Sequence, residues 1–156
     1  MDKYITINNF TIGQNTPPYI IAELSGNHNG NINRALELID AASDAGANAV
    51  KLQTYTANTI TINSDRPEFV IKSGLWAGRN LYELYGEAST PWDWHQRLFK
   101  HAKEKNIHCF SSPFDPSAVD FLDKLSSPAF KIASFELVDL PLIEKTDAVR
   151  DISCKS

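Results

Sequence analysis

The sequence predicts an α/β fold of parallel strands, arranged as the N-terminal half of a (β/α)8 TIM barrel behind a short β-hairpin. Apolar strand-like runs alternate four times with amphipathic helical stretches, which calls for parallel strands joined by right-handed crossovers. Four such βα units make half of a barrel of about 250 residues, and the chain has 156. The alternative, a doubly wound sheet, calls for a Gly-rich phosphate turn after its first strand, and residues 24–28 contain no G-x-G-x-x-G.

The hairpin is predicted at residues 4–13, where two alternating β-prone runs flank Asn8-Asn9. The apolar run at 19–22 then predicts a first strand that is buried on both faces and ends at Glu23. Asn31 is a plausible N-cap for a helix with apolar residues at helical spacing, and Gly46 marks the end of that helix.

A second strand is predicted at residues 48–53, followed by a long connection at 54–89. Connections beyond about 12–15 residues are usually functional lids or disordered, and the aromatic residues of this one favour an ordered lid with a short helix near 81–85. Thr90 followed by Pro91 predicts an N-cap and the first position of the next helix.

The last units follow the same order. Residues 107–110 predict a third strand, Asp115 with its following proline a helix start, and 129–133 a fourth strand. A helix opens at 140–143, whereas 146–156 offer no convincing fifth strand.

Composition excludes several classes of protein. The net charge is −4 and no block of like charge occurs, so the electrostatic pattern of a nucleic-acid binder is missing. No apolar run approaches the roughly 18 residues of a membrane helix, and the first residues lack the order of a signal peptide. Cys109 and Cys154 lack metal-type spacing and are too few for a disulfide scaffold, so we expect a cytoplasmic protein.

Polar or ionisable residues stand at the carboxyl end of each predicted strand, where barrel enzymes place their sites. They are Glu23 with Asn27 and His28, Lys51 with Gln53, Ser111 with Ser112, and Lys131 with Ser134 and Glu136. Lys51 and Lys131 are ammonium groups inside apolar segments, and a buried cation needs a partner or an anionic ligand. The plainer interpretation pairs Lys51 with Glu23 and Lys131 with Glu136 as structural ion pairs.

Two lysines with serine hydroxyls would suit a phosphate or a carboxylate, aided by the N–H groups at a nearby helix start. Ser111 and Ser112 lack the Gly-x-Ser-x-Gly turn of a nucleophile, which disfavours acyl transfer. His28 has no second histidine at ligand spacing, so a loop-backbone bond is its plainer role and no metal site is predicted within the chain. The other histidines are predicted to be structural: His95, His101 and His108.

Four ordered motifs resemble the sialic acid synthase family, and within it the pseudaminic acid synthases. They are IAELSGNHNG (21–30), VKLQTY (50–55), FSSPF (110–114) and FKIASFE (130–136). The resemblance extends over roughly residues 4–145 and is specific, because four motifs at compatible spacing rarely coincide. The lid, from 74 to 95, suggests the pseudaminic acid synthase branch.

The resemblance implies condensation of phosphoenolpyruvate with an open-chain N-acetylated amino sugar, which gives a nine-carbon 2-keto acid and phosphate. By matching position, phosphoenolpyruvate would be held by Lys51, Ser112, Lys131 and Ser134. Glu23 and Glu136 would be catalytic, with Glu136 on the sugar side, and the sugar would be bound by Gln53, Asn27 and His28. The family also implies Mn²⁺ or Mg²⁺ as Lewis acid, with its histidine ligands outside this chain, and a homodimer.

The sequence leaves the family pattern near residue 145, so we expect residues 1–145 to form the N-terminal part of the barrel and 146–156 a divergent tail. The family's C-terminal antifreeze-like domain is absent from the chain, which predicts that the chain alone lacks synthase activity. Two alternatives remain: a barrel aldolase with Lys51 or Lys131 as Schiff-base nucleophile, and a non-catalytic half-barrel that binds or associates.

Overall fold

The computed structural model describes residues 4–149 as an α/β chain with a two-stranded hairpin and a three-stranded parallel sheet. The strands are β1 (Tyr4–Ile7), β2 (Phe10–Gly13), β3 (Ile21–Glu23), β4 (Ala49–Thr54) and β5 (His108–Pro113). β1 and β2 pair antiparallel, and the parallel sheet has the order β3-β4-β5. The predicted hairpin and the first three parallel strands are therefore confirmed.

Six α-helices accompany the strands in the described part of the chain. They are α1 (Ile32–Asp44), α2 (Ala57–Ile60), α3 (Leu81–Ala88), α4 (Trp92–Glu104), α5 (Pro116–Lys124) and α6 (Leu140–Ala148). Of these, α1, α4 and α5 contact the parallel sheet. The side chain of Asn31 caps α1 and that of Asp115 caps α5, as the sequence predicts. Gly46 follows α1 with φ of +82°, a left-handed conformation that favours glycine. The long connection contains both α2 and α3, so the short helix predicted near 81–85 is confirmed.

The main core lies between the sheet and the helices α1 and α4. Ile39 of α1 and Leu98 of α4 are fully buried against Val50 and Leu52 of β4 and Cys109 of β5. Successive strand residues point to opposite faces, so Lys51 and Gln53 of β4 face away from this core. The alternation therefore separates an apolar layer under the helices from a polar layer on the other face.

The first parallel strand differs from its prediction. Ile20 and Ile21 are 50% and 43% exposed, so the prediction of burial on both faces was wrong. β3 is at the edge of the sheet and pairs only with β4 among the described strands, so one backbone edge and the side chains near it stay open.

The predicted fourth strand is reduced to a single contact. Phe130 forms one isolated parallel bridge with Ser111, and the Lys131 amide donates to the Ser111 carbonyl at 3.2 Å. One bridge does not make a ladder, and the segment at 129–133 lies at an edge of the described sheet. The prediction of a full strand was wrong, although the position and the parallel direction were correct.

One helix boundary also differs from expectation. α4 begins at Trp92 with Pro91 as N-cap, so the predicted cap residue, Thr90, lies one position outside the helix. α6 begins at Leu140, where the sequence predicts that a helix opens, and it ends at Ala148. Residues 150–156 of the predicted tail, including Cys154, lie outside the described residues. No helix within residues 4–149 is long and apolar enough to span a membrane.

Candidate functional site

The polar face of the parallel sheet carries a buried ammonium group. Lys51 is 5% exposed and its Nζ lies 2.8 Å from Oε2 of Glu23, the residue beside it on β3. The Glu23 side chain is 60% exposed, so this carboxylate reaches from the buried lysine to solvent. The predicted ion pair is confirmed, and its exposed end leaves the pair open to a ligand.

Ser112 adds an unsatisfied hydroxyl to the same face. It is 1% exposed, and its Oγ has no hydrogen-bond partner among residues 4–149. The strand register places Ser112 beside Gln53, and the bridge between Ser111 and Phe130 places Lys131 beside Ser112. A buried polar group without a partner is unfavourable by about 1–3 kcal/mol, which indicates a group that completes its hydrogen bonding with a ligand.

The segment after Lys131 does not form the second ion pair that the sequence suggested. No ion pair within the described chain joins Lys131 to Glu136, and the Glu136 Oε2 atom is buried without a hydrogen-bond partner in this part of the molecule. Ser134 is exposed and directly precedes a 3-10 turn at Phe135–Val138. Lys131 and Glu136 are both half-buried.

The loop after β3 contains Asn27 and His28, the two site residues predicted there. Ser25 donates to Oε1 of Gln53 at 3.3 Å, which ties this loop to the end of β4. Asn27 is exposed, and its carbonyl accepts from the Arg34 side chain at 2.8 Å. The His28 ring is 2% exposed, and both of its ring nitrogens are engaged within the protein.

The bonds of His28 define its protonation. The Gly30 amide donates to Nδ1 at 3.1 Å, so the neutral ring carries its proton on Nε2 and donates to Thr90 at 3.1 Å. The ring also meets the indole of Trp94 edge to face, and burial lowers the pKa of His28. The plainer interpretation of His28, a bond to its own loop backbone, is confirmed.

A second buried histidine was not predicted to lie near the strand ends. His95 of α4 is fully buried; its Nε2 lies 2.8 Å from Thr54 Oγ1, which in turn lies 2.6 Å from Ser111 Oγ. The His95 Nδ1 donates to the Pro91 carbonyl at 3.1 Å. Ser111 therefore points toward the helices and not into the candidate site, opposite to its neighbour Ser112. Nothing in the sequence spacing of these residues signals this contact.

Gly26 allows the lid to approach the loop after β3. A Cβ at Gly26 would lie 2.9 Å from the carbonyl oxygen of Ala88, at the end of α3. We expect Gly26→Ala to reduce the free energy of unfolding by about 1–3 kcal/mol, because backbone must move to relieve the clash. Gly86→Ala is the matched control: its Cβ would meet no atom within 4 Å, so we expect stabilisation of about 1 kcal/mol in this helix. Urea unfolding of both variants measures the difference, and equal stabilities would contradict the close approach.

The described residues do not supply a metal site. No group of three or more His, Cys, Asp or Glu side chains in residues 4–149 is arranged to hold a metal ion. His28 and His95 have both ring nitrogens in internal hydrogen bonds. The ammonium and hydroxyl groups of the candidate site, beside carboxylates, suit the binding of an anion.

The fold and this site define an α/β protein with a polar site on its parallel sheet, and this site contains the buried ammonium group of Lys51. A sequence model of the NeuB family matches residues 38–152. The chain belongs to the NeuB family.

Similar proteins refine this assignment. The chain is 52% identical over 129 residues to the pseudaminic acid synthase of Helicobacter pylori, covering 83% of this chain and 38% of that protein. It is 53% identical over 121 residues to the pseudaminic acid synthase of Campylobacter jejuni, covering 78% and 35% respectively. The crystal structure of the sialic acid synthetase from Leptospira borgpetersenii superposes with a TM-score of 0.80 at 32% identity, covering 96% of this chain and 47% of that one. The chain thus spans little more than a third of these curated relatives.

Proposed function

We propose that this chain forms the phosphoenolpyruvate-binding part of a pseudaminic or sialic acid synthase, within the first half of a (β/α)8 barrel. The enzyme condenses phosphoenolpyruvate with an open-chain N-acetylated amino sugar to give a nine-carbon 2-keto acid and phosphate. The observation that carries this proposal is the buried, unpartnered Ser112 hydroxyl, on the same sheet face as the Lys51 ammonium. The similarity to pseudaminic acid synthases supports the choice of reaction.

Phosphoenolpyruvate carries a phosphate and a carboxylate, and the proposed site offers two ammonium groups for them. Lys51 and Lys131 donate charge-assisted hydrogen bonds, which are about twice as strong as neutral ones. Ser112 donates from the sheet and Ser134 from the exposed segment before the 3-10 turn. Glu23 holds the Lys51 ammonium at 2.8 Å, so it fixes the position of this donor before a ligand arrives.

The same residues suit the chemistry of the condensation. Carbon 3 of the enol attacks the sugar aldehyde, forming the new carbon–carbon bond, and positive charge develops at carbon 2. Water adds to carbon 2, and the carbon–oxygen bond to phosphate then breaks to leave the 2-keto group. Of the two protons of this water, one ends on the former aldehyde oxygen, which becomes a hydroxyl, and the other leaves with the phosphate. Glu23 extends its carboxylate from the sheet, so it stabilises this charge or orients the water. The lysines hold the phosphate in line for departure.

The acceptor sugar occupies the other side of the reacting centre in this proposal. Gln53, Asn27 and Glu136 offer amide and carboxylate groups to its hydroxyls and acetamido groups, and His28 acts only by holding the loop. The family implies a divalent metal that polarises the aldehyde, but residues 4–149 do not provide its ligand set. A homodimer is likewise an expectation from the family.

A titration and a chimera test the proposal. We expect phosphoenolpyruvate to bind the chain in isothermal titration calorimetry more tightly than pyruvate or phosphate alone, since each of these lacks one of the anionic groups.

We also expect a chimera, in which this chain replaces the corresponding segment of the H. pylori synthase, to release phosphate from phosphoenolpyruvate and the amino sugar. Glu23→Gln in that chimera should abolish the release. A chain that folds but does not bind phosphoenolpyruvate, or a folded chimera without activity, would overturn the proposal.

A further inference from the structure

Two buried histidines are bonded to consecutive residues at the start of α4. His28, in the loop after β3, donates to the Thr90 side chain, and His95 donates to the Pro91 carbonyl. The Thr90 side chain therefore serves the site loop and not the helix as a cap. Thr90-Pro91 thus joins the loop after β3 to the N-terminal turn of α4.

The second histidine extends this connection into the sheet. Because Pro91 offers only a carbonyl oxygen, the neutral His95 ring donates from Nδ1 and accepts at Nε2 from the Thr54 hydroxyl. The Thr54 oxygen then accepts from the Ser111 hydroxyl at 2.6 Å. Thr54 ends β4, and Ser111 lies within β5, so this series of hydrogen bonds joins both strands to α4. All three side chains are fully buried.

Ser111 transmits this order to the candidate site. Its carbonyl accepts from the Lys131 amide at 3.2 Å, the described backbone bond that holds the Lys131 segment to β5. The next residue along β5 is Ser112, on the opposite face, with its unpartnered hydroxyl. A change in Ser111 therefore alters the geometry of Ser112 and Lys131 together, although no member of the hydrogen-bonded chain lies on their face.

We infer that the buried chain His95–Thr54–Ser111, anchored at Pro91, is a positioning device for the anion donors Ser112 and Lys131. This inference rests on the proposed function, and it assigns these residues no contact with the substrate. The hydrogen bonds from Ser111 through Thr54 and His95 to Pro91 have a single consistent arrangement of protons. A hydroxyl missing at Thr54 leaves the His95 Nε2 and the Ser111 hydroxyl without partners in a fully buried place, so Ser111 is free to shift.

The test compares Thr54→Val with Thr54→Ser, which keeps the hydroxyl. We expect Thr54→Val to weaken phosphoenolpyruvate binding at least tenfold and to accelerate hydrogen exchange of the Lys131 amide at least tenfold. Thr54→Ser should restore both values to within about threefold of the original protein. Thr16→Val is the matched control, because it removes a threonine hydroxyl bonded to the Gly13 carbonyl in the hairpin region, and we expect it to leave both values unchanged.

The outcomes separate the inference from the proposed function. A folded Thr54→Val variant with unchanged affinity and unchanged exchange of the Lys131 amide would overturn the positioning role. The proposed function would still stand in that case, provided that the original chain binds phosphoenolpyruvate. If the original chain does not bind phosphoenolpyruvate, the proposed function fails, and the exchange of the Lys131 amide alone decides whether the bonds position this segment. Faster exchange with unchanged affinity would also overturn the role in anion binding.

Discussion

Lowering the pH from 7 to 4 is expected to remove about 3 kcal/mol from the free energy of unfolding through His95 alone. Burial lowers the pKa of this imidazole from 6.5 to about 4, because the charged ring loses its hydration. The unfolded chain therefore binds a proton between these two pH values that the folded chain excludes. Stability from this group is complete above pH 6.5 and is lost as the pH falls toward 4.

His95→Leu isolates this contribution. The variant leaves the Thr54 hydroxyl without its acceptor, so at pH 7 we expect a loss of about 2–4 kcal/mol. The difference in the free energy of unfolding between the variant and the original protein should shrink toward pH 4, because only the original protein loses stability from the buried imidazole as the pH falls. Guanidinium unfolding at pH 7, 6, 5 and 4 measures it.

Phe121→Leu controls for packing around His95. It removes the aromatic ring that contacts the imidazole edge to face and leaves the imidazole in place. We expect it to lower stability by a similar amount at every pH. The original protein also contains His28 and His108, whose pKa values are lowered by burial, so only the difference between variants reports on His95. A difference for His95→Leu that stays constant from pH 7 to 4 would contradict the prediction.

Lys51→Met is expected to reduce the affinity for phosphoenolpyruvate by about 10- to 100-fold, since hydrogen bonds to charged groups contribute about 1.5–3 kcal/mol each. The fold should survive, because methionine fills much of the same buried space and Glu23, already 60% exposed, is hydrated when unpaired. Calorimetric titration measures the affinity, and thermal unfolding measures the stability.

Lys72→Met is the control for removal of a positive charge. Lys72 is exposed and lies in the long connection between β4 and α4, so we expect little change in affinity at physiological salt. Equal affinities for Lys51→Met and the original protein would remove Lys51 from the proposed anion site. A collapse of the fold in Lys51→Met would show that the buried ion pair is structural, and Lys131→Met would then carry the binding test.

Local patterns predicted most of the elements because they act over a few residues. Alternation predicted the hairpin, apolar runs predicted β4 and β5, and cap residues such as Asn31 and Asp115 predicted helix starts. The same patterns were wrong where the neighbour decides the outcome. Ile20 and Ile21 are apolar enough for a buried strand, but they lie at an open edge of the described sheet.

The candidate site divides in the same way. The position of Lys51 inside an apolar strand predicted both its burial and its pairing with Glu23. Ser111 and Ser112 looked equivalent in sequence, yet they lie on opposite faces, one toward His95 and the other toward the candidate site. To assign each serine to a face of the sheet, one must know how β5 is aligned with β4. This alignment is a register between strands and not a property of either strand alone.

The sequence by itself determined the order of strands and helices and the presence of lysine and serine at strand ends, because periodicity and capping are local. Only the tertiary structure decided that His28 is buried and bonded to Thr90, and that His95 joins Thr54 to Ser111. These bonds connect residues 41 to 62 positions apart. These partners depend on how the helices pack on the sheet, since a buried polar group forms its hydrogen bond with a group that the packing places within bonding distance.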